Sequence, residues 1–472
     1  MSAHDTQTST PRPASPPRRR LPREQSYTFT IDPGRLLTWI PAIVFSYLLL
    51  SPIVLQNSLV ETTAVEQLSA QINLDTAQSN IVNQVFWVTV LFTVVGLVFL
   101  HAHRPPPRVI RLTTIWPLVA YLTLAVLSVG WALDPAIAFR RVALQIVVTV
   151  ALYLTFLFAA DLRVLLSRLY LVCAATVALN VIAIGLKPPS SLGFEGIYSQ
   201  KNVLGGIAGI ICIFSLFRLR LARSPITALF PAVVLFASFG LIILARAKTA
   251  LVLTILVPGL AWALAQLSRI FRISPAPLIA ALLLIVWFGY GALSAVFGVQ
   301  LDDVFLFLFQ DATFTGRTRI WDFVLNFVER RPWLGYGFGS FWGIGADAPA
   351  VREAPGFITG VLQAHNGYLD VLLETGAVGL FIIVCLIFNA AHLGRQLAQA
   401  NNALAQFFLA LLLWMIIDDF MESYWLRNAN AAWMIFLMLY LIAAAARPFA
   451  NDATDDPTMR RHSAPALRTG RH

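Results

Sequence analysis

The chain has 472 residues, of which 58% are hydrophobic and 12% charged, with a mean hydropathy of +0.72. No water-soluble globular domain of this length carries that composition, so it reads as an integral membrane protein. The net charge of +10 does not indicate nucleic acid, because no basic helix with interleaved aromatics occurs and cytoplasmic loops of membrane proteins are enriched in Lys and Arg.

In chain order, residues 1–33 are rich in Pro, Ser, Thr and Arg and predict a disordered cytoplasmic tail. The first apolar run begins near Leu36 and has span length, so it reads as a membrane helix rather than a cleavable signal. Runs of that kind fall at about 36–55, 83–101, 112–133, 142–160, 164–186, 204–217, 226–244, 249–267, 278–297, 376–392, 403–418 and 428–446, which predicts twelve spans. The expected class is all-α and polytopic, with spans 1–9 over 34–297, a large external loop over 298–375, spans 10–12 over 376–446 and a second disordered tail over 447–472. Arg18, Arg19, Arg20 and Arg23 put the N-terminus in the cytoplasm. Alternation then gathers Arg108, Arg163, Arg218, Arg269, Arg395 and the C-terminal tail on the same side. The first external loop is acidic, with Glu61, Glu66 and Asp75, and so is the last, with Asp418, Asp419 and Glu422. Cys173, Cys212 and Cys385 lie singly in apolar runs and read as small buried hydrophobes.

Against this pattern, the external side holds cations that topology does not require: Arg140, Arg141, Lys187, Lys201, Arg246, Lys248, Arg317, Arg319, Arg330, Arg331 and Arg352. Long loops escape the charge rule, which accounts for Arg330, Arg331 and Arg352. Arg140, Arg141, Arg246 and Lys248 lie in short connections, and a polyanionic ligand at the outer face would explain them.

Within the large loop, Thr318 to Arg331 is amphipathic, with Trp321, Val324, Leu325 and Val328 at helical spacing, and is expected to lie on the membrane. Gly335-x-Gly337-x-Gly339 reads as a flexible turn, since no strand precedes it as a phosphate loop requires. A second amphipathic stretch runs from His365 to Glu374, with Asn366 placed to cap it. Gly376 and Gly379 open the next span, where small residues suit close helix–helix packing.

His365 is the one histidine in an external loop, and imidazole is the side chain suited to taking a proton from a hydroxyl near neutral pH. A surface role competes with that reading. Arg317, after Thr315-Gly316 and before Arg319, can grip phosphate oxygens through parallel donors or snorkel toward headgroups. The same two readings apply to Arg246 and Lys248. Lys201-Asn202 leads into the sixth span, where backbone amides at a helix start and the ammonium can both face an anion. No metal-ligand motif, nucleotide loop or nucleophile elbow is present, so neither cofactor nor metal is expected.

Three motifs together resemble the O-antigen ligase and polysaccharide polymerase superfamily of bacterial membrane glycosyltransferases. Gly196 to Gly206, centred on Lys201-Asn202, resembles the loop motif of its exopolysaccharide polymerases. Thr315-Gly316-Arg317 with Trp321, Pro332 and Gly335-x-Gly337 is similar to the long-loop motif, and His365-Asn366 with Gly376 and Gly379 to the terminal one. The resemblance covers roughly residues 80 to 445.

It implies a metal-independent inner-membrane enzyme facing the periplasm, whose donor is a polyprenyl-pyrophosphate-linked glycan and whose acceptor is another glycan. Membrane lipids and other polysaccharide assembly proteins are the implied partners. His365 takes the role of base, and Arg317 and Arg246 that of pyrophosphate clamp, with Arg140 and Lys201 as additions. Ala245 stands where the family often has Ser, a departure that bears on Arg246. A polymerase is the first expectation and a ligase delivering finished glycan to a lipid core or protein the second. A flippase is the third, although transporters usually carry ionisable groups within their spans.

Overall fold

The computed structural model describes residues 32–55, 81–101, 108–186, 193–198, 200–298, 316–354, 356–427 and 430–445, with isolated positions between them. The tails, the first external loop, Lys187 and Thr315 lie outside the described residues.

The chain is a helical bundle. Its helices are α1 Pro33–Leu37, α2 Ile40–Leu55, α3 Ile81–His101, α4 Trp116–Ser128, α5 Pro135–Phe158, α6 Leu162–Leu186, α7 Lys201–Leu221, α8 Pro225–Ala245, α9 Lys248–Ile270 and α10 Pro275–Phe297. Then come α11 Arg317–Arg330, α12 Pro349–Arg352, α13 Gly367–Ala400, α14 Asn402–Asp418 and α15 Ala431–Ala445. Among the described residues nine helices are long and apolar enough to cross a membrane, and three shorter apolar ones, Trp116–Trp131, Asn402–Asp418 and Ala431–Ala445, occupy the other predicted spans. The all-α polytopic class and the span positions are as the hydropathy indicates.

Burial separates core from periphery. α14 and α15 are buried along almost their whole length, and α14 touches α7, α9, α13 and α15. Phe407 of α14 stacks on Phe214 and Phe217 of α7 at 4.7 and 4.9 Å. A Cβ at Gly209 would lie 2.3 Å from the Trp414 ring, so these two helices approach as closely as they do because that position is glycine. α10 is the opposite case, with Trp287, Phe288 and Phe297 each about 70% exposed, an apolar surface suited to hydrocarbon.

The large loop folds back onto the bundle end. α11 buries Ile320, Phe323, Val324 and Phe327 against Tyr336, Phe341 and Trp342. The buried face is shifted by one position from the expected Trp321, Val324, Leu325 and Val328 set, which shares Val324 with it. The aromatic pair four residues apart turns the buried face by one position, leaving Leu325 44% exposed. Arg330 pairs with Glu353, Arg331 covers the Tyr336 ring, and Arg352 pairs with Asp347, so these three cations have partners within the loop.

The glycine turn is rigid rather than flexible. Tyr336 N–H donates to Leu373 O at 2.9 Å and Gly337 N–H to Glu374 O at 2.8 Å. Gly376 is also not a helix-packing residue. It interrupts α13 at φ 66°, ψ −167°, where an added Cβ would lie 2.2 Å from the Trp333 carbonyl. The Trp333–Gly335 and Leu373–Gly376 backbones are pressed together, and only residues lacking Cβ permit that approach. At Gly379 a Cβ would fall 1.8 Å from Thr375 Oγ1, itself hydrogen-bonded to Tyr121 at 3.0 Å.

Candidate active site at the end of the bundle

The centre is built where α13 begins and α14 ends. Asn366 is extended and its side chain accepts from Tyr368 N–H and Leu369 N–H, both at 3.1 Å, which caps α13 as the sequence indicates. Gly367 N–H donates to Asp419 O at 2.8 Å and Glu422 O at 2.9 Å, tying the helix start to the turn after α14. That turn is braced by Tyr424, whose hydroxyl donates to Asp418 at 2.5 Å and whose N–H donates to Asp419 at 2.7 Å. His365 has φ 49°, a left-handed conformation uncommon outside glycine.

The turn presents Glu422 to a guanidinium and an imidazole. Its Oε1 accepts from Arg317 Nη2 at 2.8 Å, and its Oε2 lies 3.3 Å from His365 Nδ1. The three side chains are 18%, 11% and 24% exposed, in the order Glu422, Arg317, His365, so the set is largely shielded yet open on one side. Burial raises the Glu422 pKa, but the His365 hydrogen bond and the Arg317 charge outweigh it and hold the carboxyl below its usual range. An ionised carboxylate is acceptor-only, which places the imidazole proton on Nδ1 and leaves Nε2 as a proton acceptor. Gln363 Nε2 lies 3.2 Å from the same Nδ1, an amide N–H that competes with Glu422 for that ring nitrogen.

A second layer holds the loop over this set. Arg427 bridges Glu374 at 3.0 Å and Asp370 at 3.4 Å. Asp370 accepts from Trp342 Nε1 at 2.8 Å and Ala364 N–H at 3.0 Å, while Glu374 accepts from Gly339 N–H at 3.0 Å. Burial lowers the Arg427 pKa, but Glu374 and Asp370 more than offset it, and the guanidinium stays charged. Arg141, an external cation that a polyanion would have explained, instead donates to the carbonyls of Gly339, Trp342 and Gly343.

The remaining expected residues fall into a neighbouring group. Arg246 caps α8 with φ 52°, and Lys248 opens α9. Phe194 N–H donates to Leu244 O at 2.9 Å, and a Cβ at Gly193 would lie 2.3 Å from Ala245 O and 3.1 Å from Lys201 Cδ. Lys201 therefore sits beside the Arg246 turn, with Asn202 exposed next to it on α7. α7 also reaches the first group, because a Cβ at Gly206 would lie 3.5 Å from Tyr424 Oη. Gly316, at φ 88°, precedes α11 and sets Arg317 at its first position. Arg319 is exposed two residues on, and Arg140 is half-buried beside Arg141; neither joins the His365–Glu422–Arg317 set.

Sequence reasoning gave Glu422 no site role, since it belongs to no metal motif or recognisable carboxylate pair. The available signal was a carboxylate-rich segment, Asp418-Asp419-x-x-Glu422, facing a loop of unexplained cations. Among the described residues no group of three His, Cys, Asp or Glu is placed to hold a metal ion.

Comparison with known proteins identifies a matching family model and several relatives. Residues 210–384 match the O-antigen ligase family model, a stretch that contains Arg246, Arg317 and His365. The exopolysaccharide production protein ExoQ of Rhizobium meliloti is 24% identical over 294 residues, covering 60% of this chain and 66% of ExoQ. A candidate polysaccharide ligase of Rickettsia felis is 28% identical over 137 residues, 27% of this chain and 32% of that protein. One of Rickettsia prowazekii is 28% identical over 131 residues, 27% of this chain and 32% of that protein. The chain thus spans about a third of the Rickettsia proteins and just under two thirds of ExoQ. The resemblance that the motifs carry and the match over residues 210–384 point to the same family, O-antigen ligase.

Proposed function

We propose that the chain is a bacterial inner-membrane glycosyltransferase that polymerises exopolysaccharide repeat units at the periplasmic face, taking glycan from a polyprenyl-pyrophosphate-linked donor. The observation that carries this reading is Glu422 between Arg317 and His365, which couples a proton acceptor to a phosphate-binding cation. His365 Nε2 takes the proton of the acceptor hydroxyl as its oxygen bonds to the anomeric carbon. The bond from that carbon to the phosphate oxygen breaks, and its electron pair leaves on the pyrophosphate. Glu422 holds the imidazole tautomer and stabilises the imidazolium that forms.

Arg317 spends one edge on Glu422 and has further N–H groups for phosphate oxygens. Arg246, Lys248 and Lys201 supply the rest of the clamp, with Arg140 and Arg319 as cations at the approach. Guanidinium groups held in a partly dry cleft stabilise the developing negative charge more than water does, so neither metal nor cofactor is called for. Gly316, Asn202, Asn366, Gly376 and Gly379 act through position, fixing helix starts and the loop. Membrane lipid supports the donor's carrier, and other assembly proteins supply and receive glycan. The domain plan follows, with the catalytic loop over 298–375 between spans 1–9 and 10–12, and both tails, 1–33 and 447–472, cytoplasmic.

The Lys201-Asn202 motif favours polymerisation; ExoQ is named for exopolysaccharide production, while the Rickettsia names support the ligase reading. The test supplies purified protein in lipid with a polyprenyl-pyrophosphate oligosaccharide, with and without His365→Ala. Chain growth by wild type alone supports the proposal. Equal growth by both removes His365 as base, transfer only to a lipid core or protein acceptor favours the ligase, and labelled lipid crossing the bilayer without transfer favours a flippase.

A further inference from the structure

A second cationic site lies at the other end of α14, about 24 Å from Asp418 by helix rise from Asn402. There the C-terminal end of α9, the turn into α10, the far end of α13 and the start of α14 enclose a cavity of about 570 Å³. Arg269, Arg272 and Arg395 all line it, and no Asp or Glu does. Arg269 and Arg272 are three residues apart, but Arg395 is brought to them from the far end of α13 by the fold. The Arg395 guanidinium donates to Arg272 O at 2.6 Å and that of Arg269 to Asn402 Oδ1 at 2.6 Å, contacts that orient the cations without neutralising them. The cavity exists because Ala390, Ala391, Gly394, Ala398 and Ala405 offer little side chain to fill it.

Two further observations narrow the occupant. Gln406 lines the cavity, is 8% exposed, and its amide oxygen has no hydrogen-bond partner. A buried acceptor of that kind is unfavourable unless a donor reaches it. Gln406 also lines a second cavity of about 450 Å³, walled mainly by apolar side chains such as Leu216, Phe217, Trp262 and Phe407, with Arg220 its one charged lining residue. A cationic cavity and a mostly apolar one therefore share one unsatisfied acceptor.

We propose that this is a binding site for a phospholipid with an anionic, hydroxyl-bearing headgroup: phosphate against Arg269 and Arg272, headgroup hydroxyl donating to Gln406, and an acyl chain in the apolar cavity. Snorkelling places single arginines at an interface, but it does not bring three around a cavity that contains an orphaned acceptor. The occupied site braces α13 and α14, the two helices whose other ends carry His365 and lead to Glu422.

The experiment measures lipid retention on the full-length protein by native mass spectrometry, independently of glycan transfer. Phosphatidylglycerol, phosphatidic acid and phosphatidylcholine are the probes, with thermal unfolding as a fold control. Wild type retains one phosphatidylglycerol in preference to phosphatidylcholine. The Arg269→Gln/Arg272→Gln double variant loses that preference by roughly a hundredfold, at about tenfold per charge-assisted contact. Gln406→Leu lowers phosphatidylglycerol to the level of phosphatidic acid, and Ala398→Phe, which fills the cavity and leaves the cations in place, lowers both anionic lipids. Unchanged preference in the double variant and in Ala398→Phe overturns the proposal. Displacement of the lipid by millimolar inorganic phosphate, without regard to acyl chains, overturns the lipid assignment and leaves a free-phosphate site.

Discussion

Glu422→Gln isolates the link between the two halves of the candidate site. The amide matches the carboxylate in size but offers one acceptor oxygen where the carboxylate offers two, and Arg317 and His365 now occupy one each. If the oxygen turns to Arg317, His365 Nδ1 meets an N–H, and the imidazole settles with its proton on Nε2, the wrong tautomer for a base. General-base assistance is worth about 10²–10⁴ in rate, so kcat is expected to fall about 10³-fold, close to 4 kcal/mol of transition-state stabilisation. KM for the donor stays the same or falls, because Arg317 loses a competitor for its donors. Single-turnover chain extension in detergent micelles separates the two. A variant within about fivefold of wild type, or one changed only in KM, refutes the coupling of Glu422 to His365. The carboxyl is held below its usual range, so its contribution to stability is complete above the unfolded value near ~4.3 and is lost as pH falls through the lower folded value. Wild type should therefore lose more thermal stability than Glu422→Gln between about pH 5 and pH 3.

Arg141→Leu leaves the carbonyls of Gly339, Trp342 and Gly343 without their donor; a stability loss of roughly 3 kcal/mol or more is expected, with faster proteolytic cutting between residues 331 and 366. Gly376→Ala puts a methyl 2.2 Å from the Trp333 carbonyl at a positive φ. Activity should drop sharply and the tryptophan environment shift in near-UV circular dichroism, whereas Gly240→Ala, where a Cβ meets nothing within 4 Å, should change neither. Arg317→Lys keeps the charge but not the two-edged donor set, and KM for donor is expected to rise about tenfold with kcat less affected. A kcat loss with unchanged KM would mean that Arg317 serves Glu422 alone.

Hydropathy reveals most of the fold because each span must satisfy its own backbone within hydrocarbon, leaving little freedom in where helices lie. The site was legible in part. His365, Arg317 and the Asn366 cap stand out by residue type and position, since a lone external histidine and a cation at a helix start have few structural uses. Glu422 does not stand out, because its role depends on a turn reversing after α14 to meet a helix that starts far upstream. Arg141 misled for the complementary reason: composition shows a cation in a short connection but not the three carbonyls folded over it. The rotation of the α11 face was likewise hidden, since the aromatic partners that select Phe323 and Phe327 lie beyond the helix itself.

Glu422 follows His365 by 57 residues and Arg317 by 105. During synthesis, imidazole and guanidinium therefore emerge with no counter-charge to orient them, and they remain so until the reversal after the penultimate apolar helix has been translated. A nascent or prematurely terminated polypeptide ending before that point holds imidazole and guanidinium without the acid that joins them, so the three-residue set closes only when the C-terminal hairpin is in place.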